Sequence, residues 1–382
     1  MDELSLTKKL VAIPSFVNSK NNESRIGEYI FNLLRQNKQL YVLKQMVIGN
    51  RFNIIAYPNA YKNKLKNIKR LFINHIDTVE PKEGWNFDQF LGKVKAGKLY
   101  GLGAYDTKGN LAVLINAALK ITNQAVLFVF YIDEEYEFQG LKAFINKYQN
   151  LLQPQLICSL DGSDLKITNS CRGIFEITFG LTGKSGHAAI PKLGNNAILA
   201  AGNILYQLNK ILKLPPNRDS LGQTTFNAAR INGGIISDLK GKTIIFSSNF
   251  NSIANYCEMS VEFRVNNILT SMKLLNILKY LAQKFKVKLT LKRVLSNYIP
   301  WYTPRSELND MVNLLKKNSL PVIYENPAVD GYLDIALLAE TLNCTCFCIG
   351  AKGANCHDVN EWVDVKSLKI LGNLMNTFIL QK

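Results

Sequence analysis

Two of the three histidines stand beside carboxylates, at spacings that could hold a metal ion. His75 ends an apolar run, and Asp77 follows two residues later. An imidazole can bind a cation with one ring nitrogen while a nearby carboxylate holds the other nitrogen. His357 lies near the end of the chain, in a segment that closes with Asn360 and Glu361. Either histidine alone could also be an ordinary strand-end or surface residue.

Three further carboxylate clusters could complete such a site. Asp106 follows the glycine-containing stretch 100–103 and precedes a predicted helix, where it could bridge two cations or cap the helix. Glu134 and Glu135 follow the most apolar stretch of the chain, and Asp161 follows another apolar stretch. One carboxylate can ligate a metal while its neighbour acts as a general base on water. A solvated acidic loop and a simple turn are the alternatives.

The elements that must position these residues alternate between apolar strands and amphipathic helices, a pattern that predicts an α/β fold with a mixed, largely parallel sheet. Open α/β sheets place their ligand sites at the carboxyl ends of the strands, where these clusters stand. Strands are predicted over residues 53–57, 71–74, 125–132, 156–160 and 344–349, and helices over residues 2–10, 24–35, 110–119, 308–316 and 333–342.

The middle of the chain follows a different pattern. Alternating or β-rich segments and two long amphipathic helices predict an α+β domain with an antiparallel sheet. The predicted strands are 175–181, 224–231, 243–246, 258–265 and 286–291, and the predicted helices are 196–212 and 271–285. We therefore expect an inserted domain over residues 172–293, which interrupts a catalytic domain formed by residues 1–171 and 294–382.

Composition excludes several classes of protein. The 382 residues are 47% hydrophobic and 20% charged, as in a folded protein of two domains. The net charge of +17 comes from lysines spread along the chain, so it does not predict nucleic-acid binding. The longest apolar run is far shorter than the roughly 20 residues of a membrane span. The acidic, polar N-terminus is unlike a signal peptide, so we expect a cytoplasmic protein.

The cysteines predict no chemistry of their own. Seven is an odd number, which excludes complete intrachain pairing and agrees with a reducing cytoplasm. Cys344, Cys346 and Cys348 alternate along a predicted strand and are expected to be small core residues. Cys356 adjoins His357 and is not assigned to the metal.

The five clusters, in this order, resemble the motifs of the zinc-dependent peptidase and deacylase family that contains acetylornithine deacetylase, succinyl-diaminopimelate desuccinylase, carboxypeptidase G and aminoacylase. The family's H-x-D-[TV]-V motif appears at 75–79, its D-x-K-G motif at 106–109, its paired glutamates at 134–135 and its H-x-x-N/D-E motif at 357–361. The resemblance covers almost the whole chain. It implies a phosphorylase/hydrolase-like catalytic domain interrupted by a lid, or dimerisation, domain.

The resemblance also implies a role for each matched residue. Asp77 would orient His75, and Glu134 would be the general acid and base. Two Zn²⁺ ions would be bound in each chain, with Co²⁺ or Mn²⁺ as possible substitutes. The implied metal ligands are His75, Asp106, Glu135, Asp161 and His357, with Asp106 shared between the two ions.

Residues of the inserted domain match the family's lid. The segment around His187 resembles the lid signature, in which the equivalent histidine stabilises the oxyanion across a homodimer. Asn251 and Arg264 resemble residues that contact the carboxylate end of the substrate, although Arg264 could also be a simple strand-face cation.

The resemblance implies a small N-acyl amino acid or a short peptide as the substrate. We expect an acetylornithine deacetylase-like enzyme first, with a place in arginine or lysine biosynthesis. A succinyl-diaminopimelate desuccinylase and a di- or tripeptidase are the alternatives. Asp161 departs from the glutamate usual in the deacylases and matches several of the peptidases. A non-catalytic scaffold protein is the alternative that agrees least with an intact set of metal ligands.

Overall fold

The computed structural model describes residues 2–380, apart from 215–217, 220, 241–242, 249 and 330. The chain divides into two compact units. The first consists of Met1–Asn169, Thr303–Glu325 and Leu333–Lys382, and the second of Ser170–Tyr302 and Asn326–Tyr332. No helix within the described residues has both the length and the apolar character that crossing a membrane requires.

The helices and strands are numbered in chain order. The helices are α1 (Glu3–Val11), α2 (Ser24–Leu34), α3 (Gly109–Ala118), α4 (Gln139–Tyr148), α5 (Ala197–Lys213), α6 (Ser271–Lys284), α7 (Asn309–Lys317), α8 (Ile335–Leu342) and α9 (Val365–Leu380). The strands are β1 (Leu40–Ile48), β2 (Arg51–Pro58), β3 (Arg70–His75), β4 (Lys93–Lys95), β5 (Lys98–Tyr100), β6 (Val126–Tyr131), β7 (Leu156–Ser159), β8 (Ser170–Cys171), β9 (Gly173–Thr182), β10 (Arg218–Asp219), β11 (Gly222–Gln223), β12 (Thr225–Gly234), β13 (Ile236–Lys240), β14 (Thr243–Phe246), β15 (Tyr256–Val265), β16 (Lys288–Tyr298), β17 (Trp301–Tyr302), β18 (Thr345–Cys348), β19 (Gly353–Ala354) and β20 (Trp362–Asp364).

A six-stranded sheet in the order β1-β2-β6-β3-β7-β18 forms the centre of the first unit. Strands β6, β3, β7 and β18 run parallel, whereas β1 and β2 are antiparallel to their neighbours. The predicted mixed, largely parallel α/β sheet is confirmed. Because neighbouring parallel strands end at the same edge, the residues that follow β6, β3 and β7 must lie close together.

Strand β1 is missing from the prediction. Its two buried residues, Leu40 and Gln45, are five positions apart, and most of the strand is only partly covered. An edge strand of this kind lacks the two-residue apolar alternation that identifies strands in a sequence. The pairing of β1 with β2 therefore becomes visible only in the folded chain.

Helix α3 is the most deeply placed helix of the first unit, with every one of its residues buried. It packs against α1 and α9, on the hydrophobic core that also includes Phe72, Phe128 and Phe347 from the central sheet. Asp106 stands one helical turn before α3, so the buried helix fixes the position of the Asp106 backbone. A smaller sheet, β19-β20-β5-β4, pairs Trp362 with Tyr100 and brings the last part of the chain beside the glycine-rich turn.

The second unit is built on the antiparallel sheet β12-β15-β9-β16 with α5 and α6 packed against it. Burial alternates along β15, which places Phe263 and other apolar residues in a core shared with both helices. This is the predicted α+β arrangement. Strand β16 runs to Tyr298, beyond the expected strand end at 291, so the expected domain boundary at 294 falls inside a continuous strand. The catalytic and lid roles of the two domains stay predictions.

Candidate metal centre

The ends of three parallel strands bring the first group of site residues together. His75 is the last residue of β3, which lies between β6 and β7. Glu134 and Glu135 follow β6, and Asp161 follows β7. The Nε2 atom of His75 lies 3.7 Å from Asp161 Oδ1. The sheet topology alone therefore places these residues at one edge.

Asp106 reaches the same edge from the glycine-rich turn. Gly103 has a φ of +75°, and a Cβ there would come within 2.4 Å of the Thr78 side chain, so the turn requires glycine. Asp106 Oδ1 lies 3.2 Å from His75 Nε2, and Oδ2 lies 3.1 Å from His357 Nε2. One carboxylate thus faces two histidines through different oxygens, as a ligand shared by two cations would.

A second group forms around His357. Its Nε2 atom lies 2.9 Å from Glu135 Oε2. The His357 side chain is 52% exposed, on the loop between β19 and β20, whereas the Glu135 side chain is only 4% exposed. The other carboxylate oxygen of Glu135, Oε1, is buried and has no hydrogen-bond partner.

Asp77 contacts residues of both groups. Its Oδ1 atom lies 3.5 Å from Nδ1 of His75, on the ring side opposite to Asp106. The same carboxylate accepts hydrogen bonds from the backbone N–H groups of Glu134 at 3.2 Å and Glu135 at 3.0 Å. One buried carboxylate therefore faces the histidine ring and accepts hydrogen bonds from the loop that carries the paired glutamates.

Glu361 positions Asp106, a role that the sequence prediction missed. Its buried carboxylate accepts hydrogen bonds from the backbone N–H groups of Gly103 at 2.7 Å, Tyr105 at 2.8 Å and Asp106 at 2.9 Å. Burial raises the pKa of Glu361 to about 8, although these hydrogen bonds act in the opposite direction. Its place as the last residue of the 357–361 motif was the available signal.

Asp334 is a further acid at the site that no sequence motif indicated. It precedes α8, is buried, and has a carboxylate oxygen within 4.8 Å of carboxylate oxygens of Glu134 and Asp161. Neither of its oxygens has a hydrogen-bond partner by distance and angle. Burial, together with the charge of Asp161, raises the pKa of Asp334 to about 7.

The electrostatics of the cluster show an excess of negative charge. Burial raises the pKa of Glu134 well above its usual value and that of Glu135 to about 7, and neighbouring carboxylates add to both shifts. Hydrogen bonds to Asp106 and Glu135 raise the pKa of His357 to about 10. Burial acts to raise the pKa of Asp106, but its contacts with the two histidines hold it below the usual range.

These residues fit divalent cations. In the described part of the chain, the ion pairs of Asp106, Glu135 and Asp161 are with histidine, and none is with lysine or arginine. Imidazole nitrogens and carboxylate oxygens are common ligands of zinc. The buried, unpartnered Glu135 Oε1 is unusual for a folded protein unless a further group meets it. Two positions are suitable, one among His75, Asp106 and Asp161, and one among Asp106, Glu135 and His357.

The remaining predicted site residues belong to the second unit. His187 forms an isolated β-bridge with Ser252, and its Nδ1 accepts a hydrogen bond from the backbone N–H of Ala189 at 3.2 Å. The carbonyl oxygen of Asn251 accepts a hydrogen bond from Ala188 N–H at 2.8 Å. Arg264, on β15, donates through Nε to Glu262 at 2.6 Å. The catalytic and binding roles of these residues stay predictions.

Comparison with known proteins places this geometry in a family. A probable carboxypeptidase of Emericella nidulans is 29% identical over 260 residues, which are 62% of this chain and 59% of the relative. This chain therefore spans about three fifths of the length of that relative. An acetylornithine deacetylase of Buchnera aphidicola is 24% identical over 96% of this chain and 94% of its own length.

A solved structure shows the same fold over the whole chain. The aminopeptidase PepT from Bacillus cereus superimposes with a TM-score of 0.77 at 19% identity, covering 99% of this chain and 97% of its own. The family model described as peptidase family M20/M25/M40 matches residues 71–381. The family resemblance inferred from the motifs is confirmed. With most of its length matched by that model, the chain belongs to peptidase family M20/M25/M40.

Proposed function

We propose that this metal-dependent hydrolase uses two Zn²⁺ ions to remove an acyl group from an N-acyl amino acid, as an acetylornithine deacetylase does. The observation that carries the proposal is the double contact of Asp106, whose two oxygens face His75 and His357 at 3.2 Å and 3.1 Å. A carboxylate placed in this way can be shared by two ions, which is the arrangement of co-catalytic hydrolases.

The two ions would be held by different sets of residues. His75, Asp161 and one oxygen of Asp106 would form the first position. Glu135, His357 and the other oxygen of Asp106 would form the second position. Mixed nitrogen and oxygen ligands also suit Co²⁺ or Mn²⁺, so these ions are possible substitutes. When bound, the ions would supply Lewis acidity and a water of lowered pKa.

In this proposal, Glu134 moves the proton. It directly precedes Glu135, on the loop whose backbone N–H groups donate to Asp77. It is not among the ligands proposed for either ion. In the reaction, Glu134 takes a proton from the attacking water and passes it to the leaving amine as the amide bond breaks. Asp77 keeps the His75 ring oriented with Nε2 toward Asp106. The products are a carboxylic acid and a free amino group.

An N-acyl amino acid is the first choice of substrate. The support is the acetylornithine deacetylase of Buchnera aphidicola, whose likeness extends over 96% of this chain and so includes both units. Removal of a succinyl group from an amino acid is an alternative within the same chemistry. A place in arginine or lysine biosynthesis, and a cytoplasmic location, remain part of the proposal.

A peptidase is the second candidate, and two observations favour it. The carboxypeptidase of Emericella nidulans is more similar per residue, although over a smaller part of the chain. Asp161 also stands where the deacylases usually have a glutamate. Both candidates hydrolyse an amide bond, so the metal centre itself would be the same and the difference would lie in what surrounds the substrate.

Three residues of the second unit have proposed roles in the reaction. In the proposed enzyme, His187 donates to the oxyanion across a homodimer, while Asn251 and Arg264 contact the carboxylate of the substrate. The Arg264–Glu262 ion pair gives this arginine a structural partner as well. To bind a substrate carboxylate, Arg264 would then have to share its guanidinium group between Glu262 and the substrate.

The proposal is tested with a hydrolysis panel and a metal analysis of the same preparation. The panel contains N-acetylornithine, N-succinyl-diaminopimelate and several dipeptides, each with added zinc. We expect about two zinc ions per chain and the highest kcat/KM for an N-acyl amino acid. A Glu134→Gln preparation controls for contaminating hydrolases. A protein that binds no metal and hydrolyses none of the panel would contradict the proposal, and dipeptide turnover alone would favour the second candidate.

A further inference from the structure

Cys356 lies beside the candidate metal centre, although the sequence analysis did not assign it to the metal. It adjoins His357, and its Sγ atom is within 4.8 Å of both a ring nitrogen of His357 and a carboxylate oxygen of Asp106. Of the seven cysteines, it is the exposed one, while the others are buried or partly buried. The thiol therefore faces the second metal position and is open to solvent.

The loop conformation explains how two successive side chains can reach one point. Successive residues of an extended strand point in opposite directions. Here Asn355 and His357 have φ values of +63° and +57°, and the N–H of Asp358 donates to the carbonyl of Asn355 at 3.1 Å. Cys356 and His357 are thus the central residues of a tight turn, which brings their side chains to the same side.

A second observation at this position points to a ligand. The Glu135 side chain is 4% exposed and directs Oε2 to His357 at 2.9 Å, while Oε1 is buried without a hydrogen-bond partner. Buried carboxylate oxygens nearly always have a partner in a folded protein. A cation beside His357 and Asp106 would give the Glu135 carboxylate a positively charged partner, and the Cys356 thiol has ligand atoms of both His357 and Asp106 within 4.8 Å.

We propose that Cys356 is a sulfur ligand of the second cation, together with Asp106, Glu135 and His357. This inference rests on the two-metal site proposed above. On binding, the sulfur–metal bond forms and the thiol proton is released to solvent. Zinc holds sulfur at about 2.3 Å and imidazole nitrogen at about 2.0 Å, so a small movement of the exposed loop completes the coordination. The second position would then prefer thiophilic ions over Mn²⁺ or Mg²⁺.

The first test loads the protein with Co²⁺ and records its absorption spectrum. A sulfur ligand gives an intense near-ultraviolet charge-transfer band, which oxygen and nitrogen ligands do not give. We expect this band in the wild-type protein as the second equivalent of Co²⁺ is added, and its loss in Cys356→Ser. The same substitution should weaken zinc binding at the second position by at least about tenfold.

The second test needs no substitution and measures alkylation of the thiols by iodoacetamide. In the metal-free protein, Cys356 is open to the reagent because it is the exposed cysteine. After zinc is added, its rate should fall by about tenfold or more. Cys344 is partly exposed and precedes β18, at the opposite end of the parallel sheet from the metal ligands, so its rate should not change.

The outcomes separate this inference from the proposed function. Two bound metal ions without a sulfur band, or with unchanged alkylation of Cys356, would overturn the sulfur ligand and leave the two-metal hydrolase standing. A protein that binds no metal would overturn both. A sulfur band that survives in Cys356→Ser would also contradict the assignment, because it would come from another cysteine.

Discussion

The two halves of the metal centre are built in opposite ways. His75 is the last residue of a central strand, its side chain is completely buried, and parallel strands flank it on both sides. His357 sits at a positive φ on a loop between two very short strands, with 52% of its side chain exposed. Both histidines face the same carboxylate of Asp106 at nearly the same distance.

The two halves differ in how much conformational entropy their ligands lose when an ion binds. Strand pairing fixes His75 whether or not a metal is present, so little conformational entropy is lost when an ion binds there. The loop around His357 depends on weaker contacts, such as those from the Asn355 side chain to the carbonyls of Val359 and Asn360 at 3.4 Å and 3.3 Å. We therefore expect the first half to bind its ion more tightly than the second.

The largest expected effect comes from removing the proposed proton carrier while both halves of the metal centre stay intact. Replacing Glu134 with Gln removes the proton carrier without removing a proposed ligand, so turnover should fall by about 10²–10⁴-fold. Metal content, measured by atomic absorption, should stay at the wild-type value. Retained turnover would remove Glu134 as the base, and a loss of metal would show that it belongs to one of the halves.

The next largest effect is expected from His187, which belongs to neither half of the metal centre. His187→Ala should lower turnover by about 10²–10³-fold, the usual contribution of an oxyanion donor, with unchanged metal content. If His187 acts across a homodimer, mixing this variant with inactive Glu134→Ala chains should restore part of the activity. Exchange of subunits without any recovery would contradict action in trans, as would a monomer in sedimentation.

The comparison itself is tested by removing metal in steps. During dialysis against increasing chelator, one ion should leave before the other, with affinities at least about tenfold apart. His357→Ala should retain the tighter ion, whereas His75→Ala should lose it. Simultaneous loss of both ions from the wild-type protein would show that the buried and exposed halves do not differ in the expected way.

The smallest effect concerns the substrate. Asp161→Glu keeps a carboxylate in the buried half but lengthens the side chain by one methylene group. We expect the ratio of kcat/KM between an N-acyl amino acid and a dipeptide to change by about tenfold, or the metal affinity to change. If neither quantity moves, Asp161 does not mark a peptidase-like site.

The sequence predicted the buried half better than the exposed half, for a physical reason. His75 ends one apolar strand and Asp161 follows another, and the rule that parallel strands end at one edge brings them together without further information. Nothing local predicts that Glu361 reaches back to the backbone of Gly103 and Asp106, or that the turn at Cys356 places a thiol beside His357. These contacts join distant segments or depend on loop dihedral angles.

Asp334 shows the same limit within the buried half. It stands alone, without a neighbouring histidine or acid, in front of a short helix. Its closeness to Glu134 and Asp161 arises because α8 packs beside β18 and β7. Strand β1 was missed for a related reason, since an edge strand takes its form from pairing rather than from its own apolar pattern.

The three hydrogen bonds to the Glu361 carboxylate have a consequence for biosynthesis. Nearly all proposed ligands belong to the part of the chain before the second unit, but His357 and Glu361 are translated only after that unit. At about 5–20 residues per second, the ribosome needs about ten seconds or more to translate the chain from Ser170 to Glu361. During this interval the backbone around Asp106 lacks the Glu361 carboxylate that accepts its hydrogen bonds, so the nascent chain cannot yet hold Asp106 in the position proposed for sharing two ions.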